Sequence, residues 1–413
     1  STPQKPIIGS ACCMVVVVIV TIIFFCTSIM FSQTTRALVD HQLRDMVLRG
    51  GLFNIGGSDG DEQLLQFVER YVQPASIDIP ITSECYLLMD RILPIGVSVR
   101  DLIQHSIIQA VSFEAGGGVT LLKSQTYIVR CGRIQLPPTC MASLSPKSSC
   151  GRIDLMVRGV FDGCGLYDTI GWGGKGELWI EITPRSFNVR VWKDLAFSQM
   201  MIFKKLDGDS LPHTLPPPPP LIFNDEGGQI HTPLMHYDGS IILHLGLRQN
   251  SFNDTTPTPI GWEAISTNEI IDLSRIAHYP PFMFFRPIFA NQCKETGQYR
   301  VTLEKDRFYI LATKERISIP PTISAEMLPF SHHIGELRAH YAGFFDPGFG
   351  YDMREGTTGA VGVLEVRTHE TICIFDGQPI CLFSYFQNDA LPQKIYGEAE
   401  NNYQGQHRAK LAK

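Results

Sequence analysis

The sequence lacks an excess of basic residues and lacks closely paired cysteines. Its 413 residues include 35 Lys and Arg against 41 Asp and Glu, which gives a formal net charge of -6. A general nucleic-acid binder needs a basic face that displaces counterions from phosphates, so this balance argues against that class. The 11 cysteines are odd in number and never spaced as Cys-x-x-Cys. They therefore indicate neither a disulfide framework nor a zinc ribbon.

The N-terminal region contains a long segment without any charge. Ala11 to Phe31 comprises 21 uncharged residues, and as a helix it would be about 31 Å long, which matches the hydrocarbon core of a bilayer. A secretory signal would be shorter and would follow a more basic start than Lys5 alone. We therefore predict a tail and transmembrane helix over residues 1–33, and a single-pass membrane protein.

One sequence pattern occurs twice. Tyr127 begins the string YIVRCGRIQLPPT, and Tyr309 begins YILATKERISIPPT. Further along, WIEI around Glu181 corresponds to VLEV around Glu365. Both strings place one carboxylate in an apolar, strand-like run, where a charge is costly unless it has a partner or a chemical role. Since the chain is long enough for two cores, the repeat predicts a duplicated domain.

The rest of the chain favours strands. Many short apolar runs are separated by Gly, Pro, Asn and Asp, which is typical of an all-β sandwich, jelly roll or barrel. Helical spacing is limited to Thr34–Arg49 and Glu62–Tyr71. We predict domains over residues 34–205 and 222–413, joined by a Pro-rich linker over 206–221. Its proline run indicates a stiff polyproline II spacer, with an SH3-type ligand as the alternative.

Several strings together resemble a known family. They are QPASID from Gln73, PKSSCGRID from Pro146, FFDPGFG from Phe344, VLEVR from Val363 and YQGQ from Tyr403. In this order and spacing they resemble the long, duplicated bacterial form of dCTP deaminase, from about Asp40 to the C-terminus. The resemblance implies two dUTPase-like domains in tandem, of the β-clip or distorted jelly-roll type.

The resemblance also implies a reaction, the hydrolytic deamination of dCTP to dUTP. Water must add at C4 of cytosine, and a carboxylate with a raised pKa can take the proton from water and pass it on. Glu181 and Glu365 match the catalytic glutamate of the family in the two copies. Ser148, Ser149 and Arg152 match its loop beside the base and the reactive water. The strings His-x-Glu and Pro-Cys-x-x-Cys of zinc deaminases do not occur, and Mg²⁺ carried by the nucleotide phosphates is the expected cofactor.

Other residues are expected to bind the nucleotide. Lys147 begins the serine loop, and Asp346 lies in the FFDPGFG string. Tyr403, Gln404 and Gln406 match the C-terminal lid that covers the triphosphate in the family. No residue of the chain is predicted to ligate a metal ion directly.

The second copy departs from the family pattern in the serine loop. Phe330, Ser331 and His332 stand where the first copy has Lys147–Ser149, and no arginine is in register with Arg152. We therefore expect a composite site, made by the loop of one copy and the glutamate of the facing copy or chain.

Two alternatives stay open at this point. Glu181 taken alone is more typical of a structural ion pair, with Arg185 or Arg190 as its partner. The whole protein could also be a catalytically idle or moonlighting accessory subunit of a respiratory-type complex, in which the fold serves as an interaction module. The predicted anchor and the missing initiator Met favour the mitochondrial inner membrane. The partners would then be other subunits or further copies of this chain.

Overall fold

The structure is a computed structural model. It describes residues 34–49, 52, 60–113, 117–206, 221–247, 258–329, 337–339, 343–351, 359–398, 406 and 408–412. The segment Ala11–Phe31, the proline run, Phe330–His332, Tyr403 and Gln404 lie outside these residues. We call residues 34–206 the first copy and residues 221–412 the second copy.

The described residues are mainly in strands, and most of the helical structure lies in the first copy. The strands of the first copy are β1 (Thr35–Ala37), β2 (Ile77–Pro80), β3 (Cys85–Leu88), β4 (Ile107–Val111), β5 (Val119–Leu121), β6 (Thr126–Gln135), β7 (Cys140–Pro146), β8 (Leu155–Phe161), β9 (Thr169–Ile170), β10 (Lys175–Pro184), β11 (Asn188–Val191) and β12 (Ala196–Lys205). Those of the second copy are β13 (Leu221–Phe223), β14 (Ile241–His244), β15 (Gly261–Ala264), β16 (Ile270–Asp272), β17 (Phe285–Ile288), β18 (Asn291–Gln292), β19 (Tyr299–Leu303), β20 (Phe308–Ser318), β21 (Ile323–Pro329), β22 (Leu337–Ala339), β23 (Phe344–Phe345), β24 (Ala360–Thr368), β25 (Ile372–Phe375) and β26 (Pro379–Gln387). The helices are α1 (Asp40–Leu48), α2 (Gly60–Tyr71), α3 (Val99–Ile103), α4 (Ser148–Gly151) and a 3₁₀ turn at Pro281–Met283.

The sheets of the two copies have the same strand order. The sheet β4-β3-β6-β10-β8 corresponds to β17-β15-β20-β24-β22, and the sheet in which β12 pairs with β2 and β7 corresponds to β14-β26-β21-β23. The pair β11-β5 corresponds to β25-β19. Glu181 lies opposite Ile128 of β6, and Glu365 lies opposite Ile310 of β20. The topology therefore repeats as the sequence does, and the predicted β class is confirmed.

The apolar runs form strands because their neighbours bury them on both faces. All nine residues of β24 are buried, and such a continuous run is typical of a strand covered on both sides.

Each copy also fixes the start of its long central strand with a tyrosine. The hydroxyl of Tyr127 accepts a hydrogen bond from the Leu122 amide at 3.0 Å, and that of Tyr309 accepts one from Glu304 at 2.8 Å.

The two copies share an apolar core. One buried cluster joins Phe187 and Val189 of the first copy to Phe285, Ile310 and Val363 of the second. Strand β16 of the second copy also adds to β11 of the first in parallel orientation. Because aromatic and aliphatic side chains leave water together here, the contact between the copies has the character of a domain interior.

The first helix fastens the start of the first copy to the end of the second. The Asp40 carboxylate accepts hydrogen bonds from the backbone amides of Gln393 and Lys394, both at 2.9 Å. Nearby, Gln42 Nε2 donates to Asp389 Oδ2 at 2.7 Å, and the Asp389 amide donates to the Ala37 carbonyl at 2.8 Å. We call these contacts the terminal clasp.

One prediction from the sequence has to be corrected. Among the residues that the structure describes, no helix is long and apolar enough to cross a membrane. This finding contradicts the predicted localisation as a single-pass protein of the mitochondrial inner membrane, and we withdraw it. The segment on which the prediction was based, Ala11–Phe31, lies outside the described residues.

Candidate active site between the two copies

A cavity of about 270 Å³ lies between the copies and carries polar side chains from both. The first copy contributes Ser148, Ser149 and Arg152, which lie in or directly after helix α4. The second copy contributes Glu365 from β24 and Gln406 from the C-terminal tail. The structure therefore brings the serine loop of one copy to the glutamate of the other within a single chain.

The serine loop takes its shape from local hydrogen bonds. The amides of Cys150 and Gly151 donate to the Lys147 carbonyl at 2.8 and 3.2 Å, and the Arg152 amide donates to the Ser148 carbonyl at 3.1 Å. Cys150 is buried in the shared core. A tight turn with one apolar anchor leaves both serines on the cavity wall.

Glu365 is a buried carboxyl with a strongly perturbed pKa. Only 4% of the residue is exposed. Burial raises its pKa to about 8, and the nearby Arg152 guanidinium opposes that rise. Arg152 Nε lies 3.9 Å from Glu365 Oε1. A carboxyl with a pKa near neutrality can both accept and release a proton under physiological conditions, as general acid–base chemistry requires.

Arg152 is held in place by the C-terminal tail. Its Nη1 donates to the Lys410 carbonyl at 2.7 Å, and its Nη2 donates to Gln406 Oε1 at 3.1 Å. Gln406 is in turn fixed to β24, since its Nε2 donates to the Val361 carbonyl at 2.8 Å and its carbonyl accepts from the Val361 amide at 3.0 Å. The tail thus orients the guanidinium that faces Glu365.

A second set of charged side chains also lines the cavity. Lys147 Nζ pairs with Asp78 Oδ2. Asp346 Oδ1 accepts hydrogen bonds from the Ala75 amide at 3.3 Å and the Ser76 hydroxyl at 3.4 Å. Burial raises the pKa of Asp346 to about 7, and the charge of Asp78 adds to the rise. Asp346 therefore links the second copy to the first at the edge of the cavity.

Glu181 lies elsewhere. It is absent from the cavity lining and only 2% exposed. Its Oε1 accepts a hydrogen bond from the Ile92 amide at 2.9 Å. Burial raises its pKa, against the effect of the Ile92 amide. The structure does not bring Glu181 to Ser148 and Arg152, so it differs from Glu365 in its surroundings although the two share a register.

Of the predicted nucleotide-binding residues, three reach the cavity. Lys147, Asp346 and Gln406 line it, whereas Tyr403 and Gln404 lie outside the described residues. The sequence interpretation missed Gln199 and Tyr396, which also line the cavity. No local signal marks these two residues, because they come from strand β12 and from the segment after β26 and meet the site only through the tertiary fold.

The described part of the chain offers no cluster of three or more His, Cys, Asp or Glu side chains that could hold a metal ion. The protein's own described residues therefore do not fit a resident metal site.

Repeated topology and a cavity shared by both copies define a duplicated β protein with a composite polar site. The family model for the N-terminal domain of 2′-deoxycytidine 5′-triphosphate deaminase matches residues 59–206, and the model for its C-terminal domain matches residues 227–413. The chain belongs to the 2′-deoxycytidine 5′-triphosphate deaminase family.

Solved structures agree with this assignment. The chain is similar to the crystal structure of 2′-deoxycytidine 5′-triphosphate deaminase from Agrobacterium tumefaciens, with 30% sequence identity and a TM-score of 0.72. The match covers 88% of this chain and 99% of that chain. A search of curated protein sequences finds no match.

Proposed function

We propose that the chain deaminates dCTP to dUTP without zinc, in the cavity between its two copies. The observation that carries the proposal is the open cavity of about 270 Å³ in which Ser148, Ser149 and Arg152 meet Glu365. Membership of the family supports dCTP as the substrate. Glu365 is the catalytic glutamate in this proposal, and Glu181 is not.

The raised pKa of Glu365 suits it for carrying protons during the reaction. Its carboxylate takes a proton from water as the water oxygen adds to C4 of the cytosine ring. The proton passes to N3, and a second transfer to the exocyclic nitrogen lets ammonia leave as the C4 carbonyl forms. Because the pKa is about 8, both the acid and the base form are accessible at each step.

The remaining residues act by position and charge. Arg152 keeps the Glu365 carboxylate aimed into the cavity and stabilises its ionised form. The hydroxyls of Ser148 and Ser149 offer hydrogen bonds to the base and to the attacking water, and fixed partners of this kind lower the reorganisation needed in the transition state. Lys147, Asp346 and Gln406 are the nucleotide-binding residues in this proposal. When bound, Mg²⁺ would neutralise the triphosphate.

A direct assay tests the proposal. We expect the full chain to release ammonia from dCTP in the presence of Mg²⁺, with dUTP as the other product, and the Glu365→Gln variant to release none above background. Pyrophosphate release from the same reactions would reveal hydrolysis of the triphosphate instead. Failure of well-folded protein to release ammonia would overturn the proposal and favour the idle-fold alternative. The predicted homo-oligomer stays a prediction, which light scattering would measure.

A further inference from the structure

A second cavity between the copies is built from equivalent segments of both. Its volume is about 660 Å³. The first copy contributes Lys123 and Ser124 from the β5–β6 turn and Arg185, the residue directly after β10. The second copy contributes Arg307 from the β19–β20 turn and Arg367 from the end of β24.

The two turns have the same construction. Ser124 has φ 66° and Asp306 has φ 60°, a left-handed conformation that few residues other than glycine adopt. The Ser124 amide donates to the Pro184 carbonyl at 2.7 Å, and the Asp306 amide donates to the Thr368 carbonyl at 2.8 Å. Because the duplicated turns meet at this cavity, it lies where the internal repeat brings like segments together.

The charge on the cavity wall is strongly one-sided. Its lining includes four arginines and one lysine but a single carboxylate, Asp306. Two of the arginines are neutralised by neighbouring acids. Arg367 Nη2 pairs with Asp154, and Arg307 Nη1 lies 2.6 Å from Glu263 Oε1.

The other three cations are less strongly compensated: Arg91 Nη2 donates to Thr183 Oγ1 at 3.4 Å and its charge acts on the buried Glu181 carboxyl without forming an ion pair with it. Among the described residues, no carboxylate lies within ion-pair distance of Arg91, Lys123 or Arg185; Arg91 and Lys123 are exposed at the mouth of the cavity, and Arg185 is half-buried. Like charges gathered around one cavity repel each other, and a bound anion would remove that cost. The hydroxyls of Ser124 and Ser266 on the same wall add hydrogen-bond donors.

We propose that this cavity binds a polyvalent phosphate anion, held by Arg91, Lys123 and Arg185. Guanidinium groups match phosphate oxygens in pairs, and the lysine adds a point charge. The volume accommodates a chain of several phosphate groups, free or attached to a nucleoside. The site is separate from the proposed deaminase cavity, since the three cations are absent from the lining of that cavity.

Tripolyphosphate is the probe for the first test, by isothermal titration calorimetry on the full chain. We expect binding that weakens as salt rises, and a loss on the order of tenfold in affinity for Arg185→Gln and for Arg91→Gln. Arg133→Gln is the matched control, because Arg133 is exposed and outside the cavity. Equal affinity in wild type and in the Arg91→Gln, Arg185→Gln double variant would overturn the proposal.

Two further measurements identify the source of the phosphate and the cavity that binds it. The first measurement uses the Glu365→Gln protein and asks whether a nucleoside triphosphate displaces bound tripolyphosphate as well as it does from wild type. If it does, and if Arg185→Gln weakens the binding of both ligands, the cavity accepts phosphate attached to a nucleoside. If pyrophosphate displaces tripolyphosphate and a nucleoside triphosphate does not, the cavity binds free phosphates. Loss of tripolyphosphate binding in Lys147→Gln, with Arg185→Gln unaffected, would place the ligand in the other cavity and overturn the proposal.

Discussion

The two strand glutamates occupy the same register in the two copies. The connections that follow β3 and β15, two strands away in the same sheets, take different paths. In the first copy the segment between β3 and β4, residues 89–106, folds back over its own sheet, and its Ile92 amide bonds to Glu181. In the second copy the equivalent segment between β15 and β17, residues 265–284, extends to the first copy, where it forms β16 on β11. Glu365 is left in the wall of the cavity, with its Oε1 3.9 Å from Arg152 Nε.

This difference shows that a register position does not by itself define a functional residue. A buried carboxyl with a raised pKa occurs in both copies, because burial alone produces that shift. What distinguishes Glu365 is the space beside it and the loop of the other copy across that space. The duplicated fold therefore forms one proposed site from two halves, while its second glutamate serves as a buried hydrogen-bond acceptor.

The largest expected effect separates the two glutamates by activity. Replacing Glu365 by Gln removes the group that carries the proton, so we expect deamination of dCTP to fall on the order of a thousandfold. Glu181→Gln is the matched control and should retain activity within about threefold, because Glu181 is outside the cavity. Steady-state ammonia release measures both. Similar losses of activity in the two variants would show that Glu365 and Glu181 do not differ in their role in the reaction.

Arg152 should tune Glu365 through its charge. Its guanidinium opposes the rise in the Glu365 pKa, so Arg152→Gln should raise that pKa further and reduce the carboxylate form at neutral pH. We expect kcat/KM to fall about tenfold for each unit of pKa, and its rise with pH to move to higher pH. Arg152→Lys keeps the charge and should shift the pH profile less. Identical profiles for wild type and Arg152→Gln would contradict this role.

Glu181 should matter for stability instead. Glu181→Ala leaves the buried Ile92 amide without its acceptor, which should lower the free energy of unfolding by about 1–3 kcal/mol. Activity per folded molecule should stay near the wild-type value. Chemical denaturation measures the effect. Glu181→Gln is the control, because the glutamine side chain still offers an oxygen to the Ile92 amide. An unaltered unfolding midpoint in Glu181→Ala would show that the hydrogen bond contributes little.

A further effect concerns the pH dependence of stability. The pKa of Glu365 is about 8 in the folded protein against an ordinary value of 4.5, so the folded state holds the proton more tightly. This stabilisation is complete below the unfolded pKa and disappears as pH rises through the folded pKa, by at most about 1.4 kcal/mol per pH unit.

Glu365→Gln removes that titration. Between about pH 6 and pH 9 the melting temperature should therefore fall less in this variant than in wild type. Asp346→Asn should likewise reduce the fall in melting temperature, but over a lower pH range, because the pKa of Asp346 is about 7. Parallel curves for wild type and Glu365→Gln would contradict the raised pKa.

Much of the fold follows from local patterns in the sequence. The repeat around Tyr127 and Tyr309 predicts the duplicated strands, and the helical spacing predicts α1 and α2, which the structure contains. The surroundings of Glu181 could not be predicted, since they depend on the path of residues 89–106, a segment with no strong periodicity. The contact between Arg152 and Gln406 joins distant parts of the chain, and nothing near either residue indicates it.

The terminal clasp has a consequence for how the molecule could be divided. Asp40 and Gln42 hold the end of the second copy, and the shared core joins the two copies independently of the linker. We therefore expect the copies to stay associated without covalent continuity between residues 206 and 221. A chain cleaved there would behave as a heterodimer of two fragments, each carrying half of the proposed site, and the intact protein is in effect a subunit pair encoded as a single polypeptide.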